Sequence, residues 1–167
     1  MDFMTYFKQL KGGTLNQVTL IHGEESYLID NLTKYISENF LMPMYCDFNL
    51  SQIETIVDVD SVISMAMTLP FFDERRIVLF QNTGMLKVVK DEQEDKLIKF
   101  LTDLPAHIYV VFSESDLDKR KKIYKHLAKV ADVVTVDRLL RPELAKWIAK
   151  RFKLYNKEVG LDRKSVV

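Results

Sequence analysis

The alternation of short apolar strands with amphipathic helices is the feature that most constrains the fold of this chain. Strands of about five residues that alternate with helices require right-handed crossover connections, which build a mostly parallel sheet with helices on both faces. We therefore predict a three-layer α/β domain with a five-stranded sheet. The predicted strands are Gln17–Ile21, Met44–Leu50, Ile77–Phe80, His107–Ser113 and Asp132–Val136.

The pattern changes after Asp137, where no further strand can be recognised. Pro142 suits the first turn of a helix, and the residues that follow it carry Leu144, Trp147 and Ile148 at helical spacing. We predict that residues 1–138 form the α/β domain and that residues 139–167 begin a small helical domain. Because the sequence ends soon after this helix, we expect a fragment of a longer protein.

Composition and charge exclude several classes of function. The 24 basic and 24 acidic residues cancel, so no overall charge draws the molecule to DNA or to a membrane. A single cysteine, Cys46, excludes an internal disulfide and is typical of a cytoplasmic protein. No segment reaches the roughly 20 consecutive apolar residues of a membrane helix. The three histidines lack nearby ligands in the sequence, so we predict neither a metal nor another cofactor.

The junction after the first predicted strand has the position, but not the residues, of a phosphate-binding loop. Gly23, Glu24, Glu25 and Ser26 stand there, without the second glycine and the lysine that such loops use to hold phosphates. Two carboxylates would also repel ATP. One interpretation is an ordinary turn whose acidic residues cap the next helix; the other is a degenerate phosphate loop. Both predict that this chain does not hydrolyse ATP.

A cluster of basic residues precedes the last predicted strand. A solvated helix face would explain it, and so would a surface that contacts DNA phosphates or a partner protein. The sequence leaves both interpretations open. The cluster lies on a helix predicted over Asp118–Val130 and comprises Lys119, Arg120, Lys121, Lys122 and Lys125.

Two adjacent phenylalanines, Phe71 and Phe72, lie between Pro70 and a run of charged residues. Neighbouring side chains diverge in both strands and helices, so a single core-facing surface cannot easily take both rings. The rings could pack at the edge of the sheet. Alternatively, with Met67 and Leu69, they could form an exposed apolar cluster that binds a partner.

Four segments of the chain resemble the δ subunit of the bacterial DNA polymerase III clamp loader. Of these, the segments around "TLPFFDERR" and "LDKRKK" are specific, whereas the glycine turn is not. The resemblance implies an AAA+-like domain that has lost its nucleotide-binding motifs, followed by a lid domain, and a collar domain that this chain lacks. The segments are Leu20–Asp30, Ala66–Asn82, Val110–Leu127 and Leu139–Phe152.

The resemblance also implies a function. In this family, two adjacent hydrophobic residues, which match Phe71 and Phe72, insert into an apolar pocket of the β sliding clamp and open the ring for loading onto primed DNA. ATP is used by other subunits of the loader, the δ′ and γ/τ partners, and DNA is reached through the complex. The chain would then be a non-catalytic part of the DNA polymerase III holoenzyme, a nucleotidyltransferase. The alternatives are a nucleotide-dependent α/β enzyme and a generic α/β interaction domain.

Overall fold

The computed structural model describes residues 1–138, 142, 144–145 and 147–149. The chain divides into a compact unit, Met1–Asp137, and a second unit, Arg138–Val167. In the second unit, the described residues beyond Arg138 are helical. Most of the predicted helical domain, including Leu139, Arg141 and Phe152, lies outside the described residues, and that domain stays a prediction.

The centre of the first unit is a five-stranded sheet in which the neighbouring strands are parallel. The strands are β1 (Val18–His22), β2 (Leu50–Ile53), β3 (Arg76–Gln81), β4 (Ile108–Glu114) and β5 (Asp132–Thr135). Their order in the sheet is β2-β3-β4-β1-β5. This arrangement confirms the predicted α/β fold, and the sheet is parallel throughout its described strands.

Helices cover both faces of the sheet, as the nearly continuous apolar strands β3 and β4 require. They are α1 (Phe3–Lys11), α2 (Ser26–Asn39), α3 (Cys46–Asn49), α4 (Val59–Ala66), α5 (Met85–Val88), α6 (Asp91–Thr102) and α7 (Lys122–Val130), with a 3-10 turn over Pro43–Tyr45. Helices α4, α6 and α7 pack on the face that carries Leu20, Phe80 and Phe112. Helices α1 and α2 cover the other face, where Tyr6 and Thr19 share a hydrogen bond.

The prediction of a strand over Met44–Leu50 is wrong. This segment forms the 3-10 turn and helix α3, and the strand β2 begins only at Leu50. The apolar side chains of Met44 and Phe48 are exposed and do not pack into the core, so burial does not favour a strand over this segment. The next helix, α4, is capped by Asp58, whose side chain accepts a hydrogen bond from the Ser61 main-chain N–H.

Candidate functional site

The candidate site is the loop between α4 and β3, which projects from the edge of the sheet where β3 begins. It carries the phenylalanine pair, and both rings are exposed: Phe71 by 46% and Phe72 by 70%. Met67 and Leu69, which were predicted to accompany them, are exposed as well. These exposures argue against the interpretation that the pair simply belongs to the core of this chain.

Two further aromatic residues extend the pair. The Phe71 and Phe72 rings meet edge to face, 4.7 Å between centroids, and the Tyr45 ring stacks on Phe72 at 5.5 Å. The Phe48 ring lies 5.0 Å from that of Phe71. We call Tyr45, Phe48, Phe71 and Phe72 the aromatic tip.

Sequence reasoning missed Tyr45 and Phe48 because their segment was interpreted as a strand. The signal that could have found them is their spacing of three residues, which places two side chains on one side of a helical turn. Met44 is also exposed in this segment, by 80%. The tip is therefore the centre of an apolar surface built from two segments, and such surfaces mark interaction sites on soluble proteins.

The buried side chain of Asn49 holds the main chain of the tip. Its Oδ1 accepts a hydrogen bond from the Phe71 N–H at 2.7 Å, and its Nδ2 donates to the Phe71 carbonyl at 2.9 Å. The same Nδ2 donates to the Tyr45 carbonyl at 3.1 Å. One amide group thus joins the two segments that form the aromatic tip.

Arg76 supports the tip from below. It is only 8% exposed, and its guanidinium donates to the carbonyls of Met65 and Phe48, at 3.1 and 2.9 Å, and to the Ser51 hydroxyl. Both carbonyls lie near the C-terminal ends of their helices, Met65 in α4 and Phe48 in α3, where a cation is favourable. Burial lowers the pKa of Arg76. Because the pKa of arginine starts so high, we expect the side chain to remain charged at neutral pH.

The loop that was compared with a phosphate-binding loop lies at the opposite, carboxyl edge of the sheet. Its main chain packs against the segment that leaves β5: the Glu25 N–H donates to the Val136 carbonyl at 3.4 Å, and the Val136 N–H donates to the His22 carbonyl at 2.7 Å. A Cβ atom on Gly23 would lie 2.1 Å from the Val136 oxygen. The loop is thus packed against the protein's own backbone.

The side chain of Glu25 does not cap the helix that follows this loop. Glu25 is the N-cap residue of α2 but makes no capping hydrogen bond through its side chain. Glu24 and Ser26 are exposed, and the Ser26 N–H donates to the Glu24 carbonyl at 3.2 Å. The expectation that the carboxylates satisfy the free N–H groups of the helix is therefore wrong for Glu25.

The Asn82 side chain, directly after β3, binds the segment that follows β4. Asn82 has a left-handed backbone, φ 49°, and its Oδ1 accepts from the N–H and the hydroxyl of Ser115. Beside it, the buried carboxyl of Glu114 accepts from the Thr83 hydroxyl at 2.8 Å and from the Gly84 N–H at 2.9 Å. Burial raises the pKa of Glu114.

The basic residues do not share one helix face, because α7 begins at Lys122 and not at Asp118. Arg120 folds back on Asp118 at 2.9 Å, and these hydrogen bonds lower the pKa of Asp118 to about 2. Lys121 donates to the Val89 carbonyl, and Lys122 pairs with Asp95 at 3.5 Å. The exposed residues that remain for a phosphate or partner contact are Lys119 and Lys125.

Within the described ranges, no group of three or more histidine, cysteine, aspartate or glutamate side chains could hold a metal ion. In the same part of the chain, no helix is long and apolar enough to cross a membrane.

Comparisons with known proteins agree on one family. A family model described as DNA polymerase III, delta subunit matches residues 20–137. The chain is 30% identical over 164 residues to DNA polymerase III subunit delta of Bacillus subtilis, covering 93% of this chain and 47% of the relative. These matches confirm the resemblance seen in the four sequence segments.

Solved structures show the same fold. The DNA clamp loader delta protein of Bacillus subtilis matches with a TM-score of 0.75 and 26% identity over 95% of this chain and 49% of the other. A DNA polymerase III gamma subunit-related protein from Thermotoga maritima matches with a TM-score of 0.57 at 14% identity, over 94% of this chain and 55% of the other, which is a likeness of fold alone. The chain spans about half the length of the relatives it matches.

Proposed function

Because this chain belongs to the family of DNA polymerase III delta subunits, we propose that it binds the β sliding clamp through the aromatic tip and opens the ring for loading onto primed DNA. Met67 and Leu69 extend the bound surface. The chain acts as a non-catalytic part of the cytoplasmic replication machinery, together with the other clamp-loader subunits, δ′ and γ/τ.

The exposure of the phenylalanine pair is the observation that carries this proposal. Two adjacent aromatic rings, 46% and 70% exposed, stand on a loop whose main chain is held by the buried side chain of Asn49. Aromatic residues that a partner can bury completely are the usual energetic centres of protein interfaces. Their chemistry calls for an apolar pocket on the clamp.

Ring opening follows from binding if the clamp offers two conformations. A ligand shifts such an equilibrium by its difference in affinity for the two states, and by no more. We therefore expect the aromatic tip to bind the protomer of an open clamp more tightly than the protomer of a closed one. The difference in binding free energy between the open and the closed clamp is the free energy available for opening the ring.

The carboxyl edge of the sheet supports a role without ATP hydrolysis. The Glu25 N–H, which in a phosphate-binding loop would face the nucleotide, is within hydrogen-bonding distance of the Val136 carbonyl. Glu24 and Glu25 add negative charge at the position of the phosphates. ATP would then act through other subunits, and DNA contact through Lys119 and Lys125 would occur within the loader.

The experiment uses isothermal calorimetry to titrate the 167-residue chain with the cognate β clamp and, separately, with ATP and magnesium. The proposal predicts saturable binding of the cognate β clamp and no heat of binding with ATP and magnesium. Micromolar binding of ATP would favour the nucleotide-dependent enzyme and count against the delta-subunit role. A clamp that does not bind, although the chain is folded by circular dichroism, would contradict the proposed function.

A further inference from the structure

The side chain of Asn49 is the most completely engaged polar group near the aromatic tip. It is fully buried, and its amide faces both polar groups of the Phe71 main chain. The assignment of the two amide atoms follows from the network: the reverse orientation would place Oδ1 against the carbonyls of Phe71 and Tyr45 and leave the Phe71 N–H facing an NH₂ group.

This contact replaces the support that secondary structure gives elsewhere. Phe71 lies outside the strands and helices, so neither a ladder nor a helical turn holds its main chain. To the Phe71 main chain, the Asn49 amide offers one donor and one acceptor, as a neighbouring strand would. It comes from the last residue of α3, which is fixed by the start of β2 directly after it.

The backbone of Phe72 explains why such a support is needed. Its φ of 48° lies in the left-handed region, which is unfavourable for a bulky L-residue by about 1–2 kcal/mol. In an extended chain, neighbouring side chains would point to opposite sides. The left-handed turn instead accompanies an arrangement in which the two rings meet at 4.7 Å and both contact Tyr45.

We propose that Asn49 is a positioning residue for clamp binding: it holds Phe71 so that both phenylalanines are presented together before the partner arrives. This inference rests on the proposed function of the aromatic tip. A loop that is already ordered loses less conformational entropy on binding, and the affinity rises accordingly. Removal of the amide should therefore weaken clamp binding by about 10- to 100-fold although no clamp contact is deleted.

The test uses Asn49→Ala and Asn49→Asp, with Asn31→Ala as the matched control. Asn31 is a partly exposed asparagine of α2 whose amide donates to the Tyr27 carbonyl, away from the tip. Asn49→Asp keeps the size of the side chain and the acceptor for the Phe71 N–H, but it sets a carboxylate oxygen against the Phe71 carbonyl. It leaves no cavity and therefore serves as the second variant, and exchange at Val78 reports whether each variant is folded.

Three measurements separate positioning from general stability: clamp affinity by calorimetry, amide hydrogen exchange at Phe71 and Val78, and affinity in a Phe72→Ala background. We expect both Asn49 variants to weaken binding and to speed exchange at Phe71, while Val78 in β3 keeps its protection. The Phe72→Ala variant already lacks one of the two rings that Asn49 would position. In that background, Asn49→Ala should weaken clamp affinity by less than about threefold. Asn31→Ala should bind as the unsubstituted chain does.

Wild-type affinity in both Asn49 variants would overturn the proposal. A loss of affinity that comes with equally faster exchange at Phe71 and Val78 would overturn it too, because that result describes global destabilisation. A Phe71→Ala/Phe72→Ala variant distinguishes this failure from failure of the proposed function. If the double variant loses binding while the Asn49 variants keep it, only the positioning role fails; if the double variant itself binds normally, the aromatic tip is not the binding site.

Discussion

We predict that the left-handed backbone of Phe72 lowers the stability of the folded chain, while its exposed ring serves clamp binding. The substitution Phe72→Gly tests the effect on stability. The residue combines a left-handed backbone, φ 48°, with 70% exposure. Glycine adopts this backbone without strain, whereas alanine does not. Glycine relieves about 1–2 kcal/mol of backbone strain in the folded state. Its greater conformational freedom in the unfolded chain offsets about 0.4–1 kcal/mol of this gain. We expect Phe72→Gly to be more stable than Phe72→Ala by about 0.5–1 kcal/mol.

Both substitutions should weaken clamp binding. An aromatic side chain can bury about 200 Å², so the exposed part of Phe72 corresponds to about 140 Å² that the clamp can cover. At about 25 cal/mol per Å², this area is worth about 3.5 kcal/mol at most. Allowing for incomplete burial, we expect both variants to bind about 30- to 150-fold more weakly.

Urea denaturation gives the free energy of unfolding for both variants, and calorimetry gives their clamp affinity. Leu69 supplies a control, because it is 74% exposed and its backbone is not left-handed. Leu69→Gly should therefore be less stable than Leu69→Ala, the opposite order. If Phe72→Gly is also the less stable of its pair, the backbone argument is refuted.

Three further predictions concern the framework of the molecule. In Gly23→Ala, the new Cβ meets the Val136 oxygen at 2.1 Å, so thermal unfolding should show a loss of about 1–3 kcal/mol; an unchanged midpoint would contradict the packing described for this loop. Arg76→Met leaves the carbonyls of Met65 and Phe48 without their hydrogen-bond donor and should lower the free energy of unfolding by about 2–3 kcal/mol in urea denaturation. A loss below about 1 kcal/mol would be the contrary result. Burial raises the pKa of Glu114 above its unfolded value of 4.5, so its contribution to stability is complete below that pH and is lost as the pH rises through the folded pKa. The unsubstituted chain should therefore lose stability relative to Glu114→Gln between pH 4.5 and 7, and a constant difference in unfolding free energy would refute this.

Sequence patterns predicted the sheet well because its central strands are apolar on both faces. Segments such as Ile77–Phe80 and His107–Ser113 can be satisfied only inside a covered sheet, and both became central strands. The error over Met44–Leu50 has the opposite cause. Its residues have the composition of a strand, but tertiary structure leaves Met44 and Phe48 exposed on a helical turn.

The candidate site could be predicted only in part. Phe71 and Phe72 stood out because no single buried face accommodates two adjacent rings. Asn49 did not stand out, since its contact with Phe71 spans 22 residues and exists only after α3 and the tip loop have packed together. The backbone conformation of Phe72 likewise has no signal in its residue type, because bulky residues rarely adopt a left-handed conformation.

The paired measurement of stability and clamp affinity for Phe71→Ala/Phe72→Ala tests the central proposal most directly. Because Phe72 is mostly exposed and Phe71 is about half exposed, the two rings together bury about 170 Å² in this chain. At about 25 cal/mol per Å², the variant should lose at most about 4 kcal/mol of unfolding free energy, since extended-chain areas give an upper limit. Binding to the cognate β clamp should disappear. If the rings belonged to the core, each truncation would cost about 3–5 kcal/mol, and the pair about 6–10 kcal/mol. A loss of stability on that scale, with clamp affinity unaltered, would contradict the account.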